Sequence, residues 1–517
     1  MPSLDSELID RKFNSDLERK KFYEFDFIFL DSTFVIVFDE AHELLHPDHH
    51  VSVYSKSEGT DPQEVVETIN LFRAIRRALT EIFYDYKIIG CFVGTLSKLS
   101  NFHPEHVTSS RGLGSVDMEN PLTLFNPFLE FPYFHQKGNP LPLKSDVLKK
   151  DLLDLFHLGR PLWSTIPTLP ELVLLAQQKL LCMNDISKIE TDAQYLALLS
   201  CRVGLQVSPR EELASTLVEK HMAICSSISS DRKFVTTSYG VEPVLHEAAC
   251  KLMVNVWPAC LERIASLLLT KGFVEGGVRG ELICRLFLLY TFDLCISDAN
   301  CRYYHTPVSL SSFFLKLQIP KKKPLMNGHL ILTHFIQLNF LPDENMLKLM
   351  YSLGAGGILP RNAHGADLII PILLTGDEIL LTGDEISFIL IQVKNFQNLK
   401  FTGMNAAHKK LTLPYCFHAD YKGSLHNFSR LFFRLIFQIG FKGYAVKDFN
   451  EGGYTSYAIA GLKNPNHQSS ISSLLESMSE TVKKTNWYFT HTCELPFGHD
   501  RFCPIDTSNP FFKSIWR

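Results

Sequence analysis

Apolar and polar positions alternate along this chain in a few readable rhythms. Phe34-Val35-Ile36-Val37-Phe38 is a continuous apolar run of strand length, which predicts a parallel strand buried on both faces. From Asp61 to Tyr86 the apolar residues Val65, Val66, Ile69, Phe72, Ile75, Leu79, Ile82 and Phe83 recur at helical spacing. A second buried run, Lys87 to Val93, follows, so strand, helix and strand predict an α/β unit with a right-handed crossover. Residues 101–145, rich in Pro, Asn, Phe and Gly, read as irregular connection. Residues 146–270 carry helical stripes at Leu172–Leu181, Tyr195–Leu205 and Leu213–Ile224. After a glycine turn at 271–277 a new helix starts near Arg279, Ala366–Lys394 reads as strand, turn, strand, and Phe428–Ile439 reads as a helix. The Ser-, Asn- and Pro-richer residues 463–517 predict a weakly structured end, and residues 1–20 a polar lead-in.

Composition narrows the class. The 517 residues are 45% hydrophobic and 21% charged, which excludes disorder, collagen and coiled coil as descriptions of the whole. Fifty-one Lys plus Arg against 55 Asp plus Glu leave a net charge of −4, so nucleic-acid contact requires a local basic patch. The 12 cysteines are scattered without a CxxC, as expected for reduced thiols in a cytoplasmic or nuclear protein. No signal peptide is expected from the polar Met1–Lys20, and no run of about 18 apolar residues predicts a membrane span.

Chemistry first surfaces at Asp39-Glu40. A buried strand ending in two acids resembles Walker B of P-loop NTPases, in which Asp39 would hold Mg²⁺ and Glu40 polarise a water. Thr95, in Gly94-Thr95-Leu96-Ser97, resembles the polar sensor on the neighbouring strand. Leu158-Gly159-Arg160-Pro161 resembles the Gly-x-Pro turn that opens a helical lid. No G-x-x-x-x-G-K-[ST] phosphate cradle occurs in the chain, so Asp39, Glu40 and Thr95 read as a vestigial nucleotide site and ATP is not an expected cofactor. A rival reading overlaps it. His42-Glu43-Leu44-Leu45-His46 matches the H-E-x-x-H of zinc metalloproteases, with His49, His50, Glu64 and Glu67 as third-ligand candidates. Pro47 counts against it, because it cuts the helix that must present both histidines.

A second constellation spans Asp367 to Lys394. His364-Gly365-Ala366-Asp367 leads by a glycine turn into Leu368-Ile369-Ile370-Pro371, and Ile386–Asn395 supplies the returning strand. Between them Leu373-Leu374-Thr375-Gly376-Asp377-Glu378-Ile379 is repeated at once as Leu380–Ile386, which lengthens the hairpin tip without adding chemistry. Strand alternation puts Gln392 and Lys394 on one side and Val393 on the other. Asp367, the Gln392 amide oxygen and the Val393 carbonyl are hard oxygen donors suited to Mg²⁺ or Mn²⁺, and Lys394 suits an attacking water or developing negative charge. From Ser387 to Lys463 ten basic residues (Lys394, Lys400, Lys409, Lys410, Lys422, Arg430, Arg434, Lys442, Lys447, Lys463) face three acidic ones. This is the footprint of a nucleic-acid partner, DNA or RNA.

Asp367, Gln392 and Lys394 resemble the PD-(D/E)XK nuclease superfamily in its Gln-x-Lys variant. That resemblance implies that Glu281, at the start of the apolar helix in Val278-Arg279-Gly280-Glu281-Leu282, completes the metal site. The order of Val35–Glu43, Val93–Ser97, Gly159–Trp163, Arg279–Leu286 and Gly365–Asn395 resembles the Crinkler-related NTPase–nuclease proteins of fungi and oomycetes. The likeness implies an α/β chain in three parts: a partial P-loop-like parallel sheet at 21–145, a helical lid or winged-helix-like region at 146–270, and a restriction-endonuclease-like domain at 271–462. The function expected is a metal-dependent phosphodiester hydrolase with a degenerate ATPase half. The alternatives are a catalytically inactive nucleic-acid-binding or effector-like protein, and a zinc metalloprotease through His42 and His46.

Overall fold

The computed structural model describes residues 34–38, 44, 50–56, 64–72, 74–75, 78–79, 88–92 and 152–484, the last without 206–211, 229–234, 241, 267–275, 321–326, 339–340, 361–362, 364, 375–384, 395–406, 418–424, 426–431 and 450–454. Two compact units divide at Gly114. In the first, β1 (Phe34–Phe38) and β4 (Ile88–Phe92) pair in parallel, from Phe34 opposite Ile88 to Phe38 opposite Phe92, as the two apolar runs predict. Phe38 stacks on Phe92 at 4.8 Å, and the buried Phe72 meets Phe92 edge-on. Two expectations fail here. Val35 and Val37 are 59% and 60% exposed, so β1 is not buried on both faces. The helix expected over 61–86 begins instead as a strand: β2 (His50–Lys56) and β3 (Glu64–Asn70) form an antiparallel hairpin, and among the described residues helix follows at 71–72, 74–75 and 78–79. Val65, Val66, Thr68 and Ile69 are β-branched, and cross-strand pairing of Val66 with Tyr54 and of Ile69 with Val51 outweighs their helical spacing.

The second unit is mixed α/β. It opens with α1 (Leu152–Phe156), a 3-10 turn (Pro161–Thr165), α2 (Leu169–Leu181), α3 (Asp192–Val203) and α4 (Glu212–Lys220). A capping box starts α3: the Thr191 hydroxyl accepts from the Gln194 amide while Gln194 Oε1 accepts from the Thr191 amide. The hairpin of β5 (Ile224–Ile228) and β6 (Val235–Ser238) interrupts the helices before α5 (Pro243–Met253) and α6 (Trp257–Ile264). The Gly-x-Pro turn is locked to the start of α5. Buried Glu242 accepts from the Arg160 amide at 2.8 Å, the Arg160 guanidinium at 2.5 Å and Trp163 Nε1 at 2.9 Å. Gly159 is required there: its φ is +111°, and a Cβ would lie 2.5 Å from Glu242 Cγ.

The long apolar α7 (Gly276–Asp298) precedes β7 (Val308–Ser309), α8 (Leu310–Lys316), β8 (Gly328–Leu330), β9 (His334–Gln337), α9 (Glu344–Ser352) and β10 (Ala355–Ile358). The hairpin of β11 (Leu368–Leu374) and β12 (Glu385–Lys394) follows as predicted. After α10 (Leu413–Cys416) come β13 (Phe433–Gln438), β14 (Ala445–Asp448), β15 (Thr455–Ala460) and α11 (Ser469–Lys484). The central sheet runs β14-β15-β13-β12-β11-β10-β9. Strands β12, β13 and β15 are mutually parallel, and β11 is antiparallel to both of its path neighbours.

Within the span 428–439, expected as a helix, Phe433–Gln438 is a strand. All of β13 is buried, the polar Arg434 and Gln438 included, so its burial does not follow the polarity of the sequence and a short, largely apolar run does not separate helix from strand. Residues 463–517, expected to be weakly structured, contain the 16-residue α11, whose Ile471, Leu475 and Met478 enter the core. One side of the sheet receives α7 and α8: Phe287 meets Phe437 at 4.9 Å, and Phe314 meets Phe433 at 5.2 Å. The other side is covered in part by residues 407–417, where Phe417 lies 6.4 Å from Phe388. Helices and sheet share one hydrophobic core reaching from Leu155 to Met478.

Candidate functional site

The site forms where β11 begins and β12 ends. Gly365 makes the entry turn with φ +79°, and a Cβ there would lie 2.8 Å from the Lys410 carbonyl oxygen and 3.0 Å from Cys416 Sγ. The Asp367 amide donates to the Ile391 carbonyl at 2.8 Å, although the ladder pairs Leu368 with Ile391. Asp367 thus extends the hairpin's hydrogen bonding one residue before β11 begins. Asp367 Oδ2 then accepts from the Val393 amide at 2.6 Å. The carboxylate takes the place of the next carbonyl in the ladder, beside the Val393 backbone. Burial pushes the Asp367 carboxyl above its ordinary range, while the Val393 N–H and the Lys394 charge pull it down.

Gln392 and Lys394 share the opposite side of β12 from Val393, and the parallel register sets them beside Ile436 and Gln438 of β13. Gln392 is 7% exposed, and its Oε1 has no hydrogen-bond partner among the described residues. A buried acceptor without a donor costs about 1–3 kcal/mol, so this oxygen is a candidate for a ligand. Lys394 is half-buried. Asp367, Gln392, Val393 and Lys394 are therefore brought together.

Glu281 comes from a different element. It lies on α7, which packs on the Val393 and Phe437 side of the sheet. Its link to the cluster runs through Cys284, whose buried thiol is pushed up first by desolvation and then by both Asp367 and Glu281. Arg285 beside it is fully buried and donates to the Val203 carbonyl, and burial lowers its pKa to about 10. Asp39, Glu40, Thr95, His42 and His46 lie outside the described residues. His50, Glu64 and Glu67 sit on the β2–β3 hairpin.

Among the described residues, no group of three or more His, Cys, Asp or Glu is arranged to hold a metal ion. The donors present are one carboxylate, one unpartnered amide oxygen and one strand carbonyl. That set fits a hard cation which keeps most of its waters, and it does not fit Zn²⁺.

The basic stretch separates into parts. Arg434 is not a surface charge: it is buried, donating to Ser456 Oγ at 2.6 Å and to the Leu411 carbonyl at 3.2 Å. Lys463 pairs with Glu476 at 3.1 Å. Lys400, Lys422 and Arg430 lie outside the described residues. Lys409 and Lys410 are exposed on a helical segment at 407–410, close to Gly365. No helix among the described residues is long and apolar enough to cross a membrane. Sequence reasoning missed the 407–417 segment as a wall of the site, because its contact with Gly365 spans more than 40 residues and leaves no local signal.

Fold and site together define a mixed α/β protein with a polar cluster at the carboxyl end of a parallel strand, the end at which open α/β sheets place their ligands. The profile of a domain family of unknown function (DUF8736) matches residues 184–470, more than half of the chain, and the chain belongs to that family. Comparison with curated proteins and with solved structures gives no match.

Proposed function

We propose that this protein is a Mg²⁺- or Mn²⁺-dependent nucleic-acid phosphodiester hydrolase with a vestigial nucleotide site in its N-terminal unit. The observation that carries the reading is the convergence of a half-buried carboxylate, a buried amide oxygen without a partner among the described residues and a half-buried ammonium at one strand end. Asp367, Gln392 and the Val393 carbonyl would hold the cation, with Glu281 as the outer candidate. A bound cation supplies charge stabilisation at the scissile phosphate. Lys394 orients the attacking water and offsets charge developing on the phosphoryl oxygens. The raised Asp367 carboxyl agrees with a group that gains from a nearby cation. The resemblance to PD-(D/E)XK and Crinkler-related proteins points the same way.

A second reading, a catalytically inactive nucleic-acid-binding protein, is favoured by the neutral Gln392 and by the engagement of Asp367 with Val393. Cleavage of end-labelled DNA and RNA by the purified chain separates the two. The hydrolase reading expects Mg²⁺- or Mn²⁺-dependent cleavage lost with chelator and in Asp367→Ala, slowed at least ~10²-fold in Lys394→Ala, and retained in Gln392→Glu. Cleavage indifferent to Asp367→Ala, or none with either metal, rejects it.

A further inference from the structure

Beside the strand end lies a short segment with its own chemistry. Residues 407–410 are helical, Lys409 and Lys410 are exposed, and α10 follows at Leu413–Cys416. Tyr415 is 39% exposed, one of the few large hydrophobic side chains among the described residues left so open. The segment is pinned rather than free-standing. The Lys410 carbonyl, Tyr415 Cδ1 and Cys416 Sγ all fall within 2.8–3.0 Å of a single point, the place of a Cβ on Gly365, two residues before Asp367. Cys416 also feels the charges of Asp367 and Arg434, and Arg434 anchors the Leu411 carbonyl from the sheet. Tyr415, Lys409 and Lys410 are therefore exposed residues of one short segment that packs on the turn leading to Asp367.

We infer that this segment binds a single strand of nucleic acid, with Tyr415 stacking on an unpaired base and Lys409 and Lys410 holding the flanking phosphates. The inference rests on the hydrolase reading for its location and adds the class of substrate. An aromatic ring beside paired cations is the platform that single strands use, because every base offers a π-face and the backbone tracks the positive charge. In a duplex both faces of each base are occupied by neighbouring pairs, so Tyr415 has nothing to stack on. Seating against Gly365 spares the entropy of ordering a loose loop on binding.

Fluorescence anisotropy with the full chain in EDTA tests this, using a fluorescein-labelled oligodeoxynucleotide, the matching oligoribonucleotide and the duplex, alongside cleavage assays with Mg²⁺. The single strands should bind at least about 10-fold more tightly than the duplex. Tyr415→Ala should weaken single-strand binding about 10-fold while Tyr415→Phe retains it, a contrast that a folding defect would not produce. Lys409→Ala with Lys410→Ala should reduce the salt slope by about 1.4, at about 0.7 per single-strand phosphate contact. The difference between the DNA and RNA arms names the sugar. Equal binding of duplex and single strand, or binding unchanged in Tyr415→Ala, overturns the inference. Cleavage that needs Asp367 but ignores Tyr415 and both lysines removes this inference and leaves the hydrolase reading standing. Tyr415-dependent single-strand binding without cleavage under either metal does the reverse.

Discussion

At the scale of single residues, Gln392 shows most directly how function and stability pull apart. Its amide sits among Leu and Ile of a buried strand, and its oxygen meets no donor among the described residues. Replacing an unsatisfied polar group by an apolar one of similar shape removes the desolvation penalty. Gln392→Met should therefore raise stability by about 1 kcal/mol or more, read as an upward shift of the urea midpoint, while abolishing metal-dependent cleavage. A destabilised Gln392→Met would show instead that the amide is held by structure and has no ligand to wait for. Arg434 makes the opposite point. It counts as a positive charge in the sequence, yet its guanidinium is buried, bonded to Ser456 and Leu411, and is not part of an exposed basic face.

At the scale of elements, the helices are clamped to the sheet by one buried ion pair. Arg202 of α3 meets Asp293 of α7 through two bonds of 2.7 and 2.8 Å, and its Nε donates to the Thr333 carbonyl just before β9. Trp257 of α6 donates to the same carboxylate at 2.9 Å. Three helices thus converge on one carboxyl group, and Arg202 ties it to the backbone just before β9. Replacing the whole pair by apolar residues is often tolerated, but removing one partner strands a buried charge. Asp293→Ala should cost about 3–5 kcal/mol, seen as a lower denaturation midpoint. A loss under ~1 kcal/mol would mean that Arg202 finds water or another acceptor.

For the whole second unit, buried histidines set the response to acid. His246 and His334 stack at 3.4 Å with rings 2° apart, and His305 Nε2 lies 2.8 Å from the Ser352 carbonyl. Burial lowers His246 to about 3, His305 to about 4 and His467 to about 3, and it drives His334 down as well. Their folded pKa values lie below the unfolded value near 6.5, so the unfolded chain takes up protons that the folded chain refuses as pH falls below 6.5. For His246, His305 and His467 this is worth about 2 kcal/mol each at pH 5. Glu247, raised by burial to about 7, has the opposite sign: it favours the fold as pH drops from 7 towards 4.5. Asp293 and Asp367, also raised by burial, act with it in acid. Below about pH 4.5 the Glu247 gain is complete while histidine losses continue. The urea midpoint should be lower at pH 4 than at pH 7, and a midpoint flat across that range would contradict the balance drawn here.

What the residues determine alone is local. Alternation along Ile386–Lys394 and the glycine turn before Asp367 suffice to predict the β11–β12 hairpin and the shared side of Gln392 and Lys394. The parallel pairing of β1 with β4 follows equally from two apolar runs. Tertiary structure decided the cases in which one pattern serves two states. Residues 64–70 became a strand because β2 was there to pair with, and Phe433–Gln438 because β12 and β15 flank it. It also decided whether a charge is structural or available: Arg285 and Arg434 are inside, whereas Lys409, Lys410 and Tyr415 are exposed on the segment that packs on the turn leading to Asp367. Strand and turn propensities act over a few residues and are written in the chain. Burial and opposition across a sheet are set by residues tens to hundreds of positions away, so no window of sequence contains them.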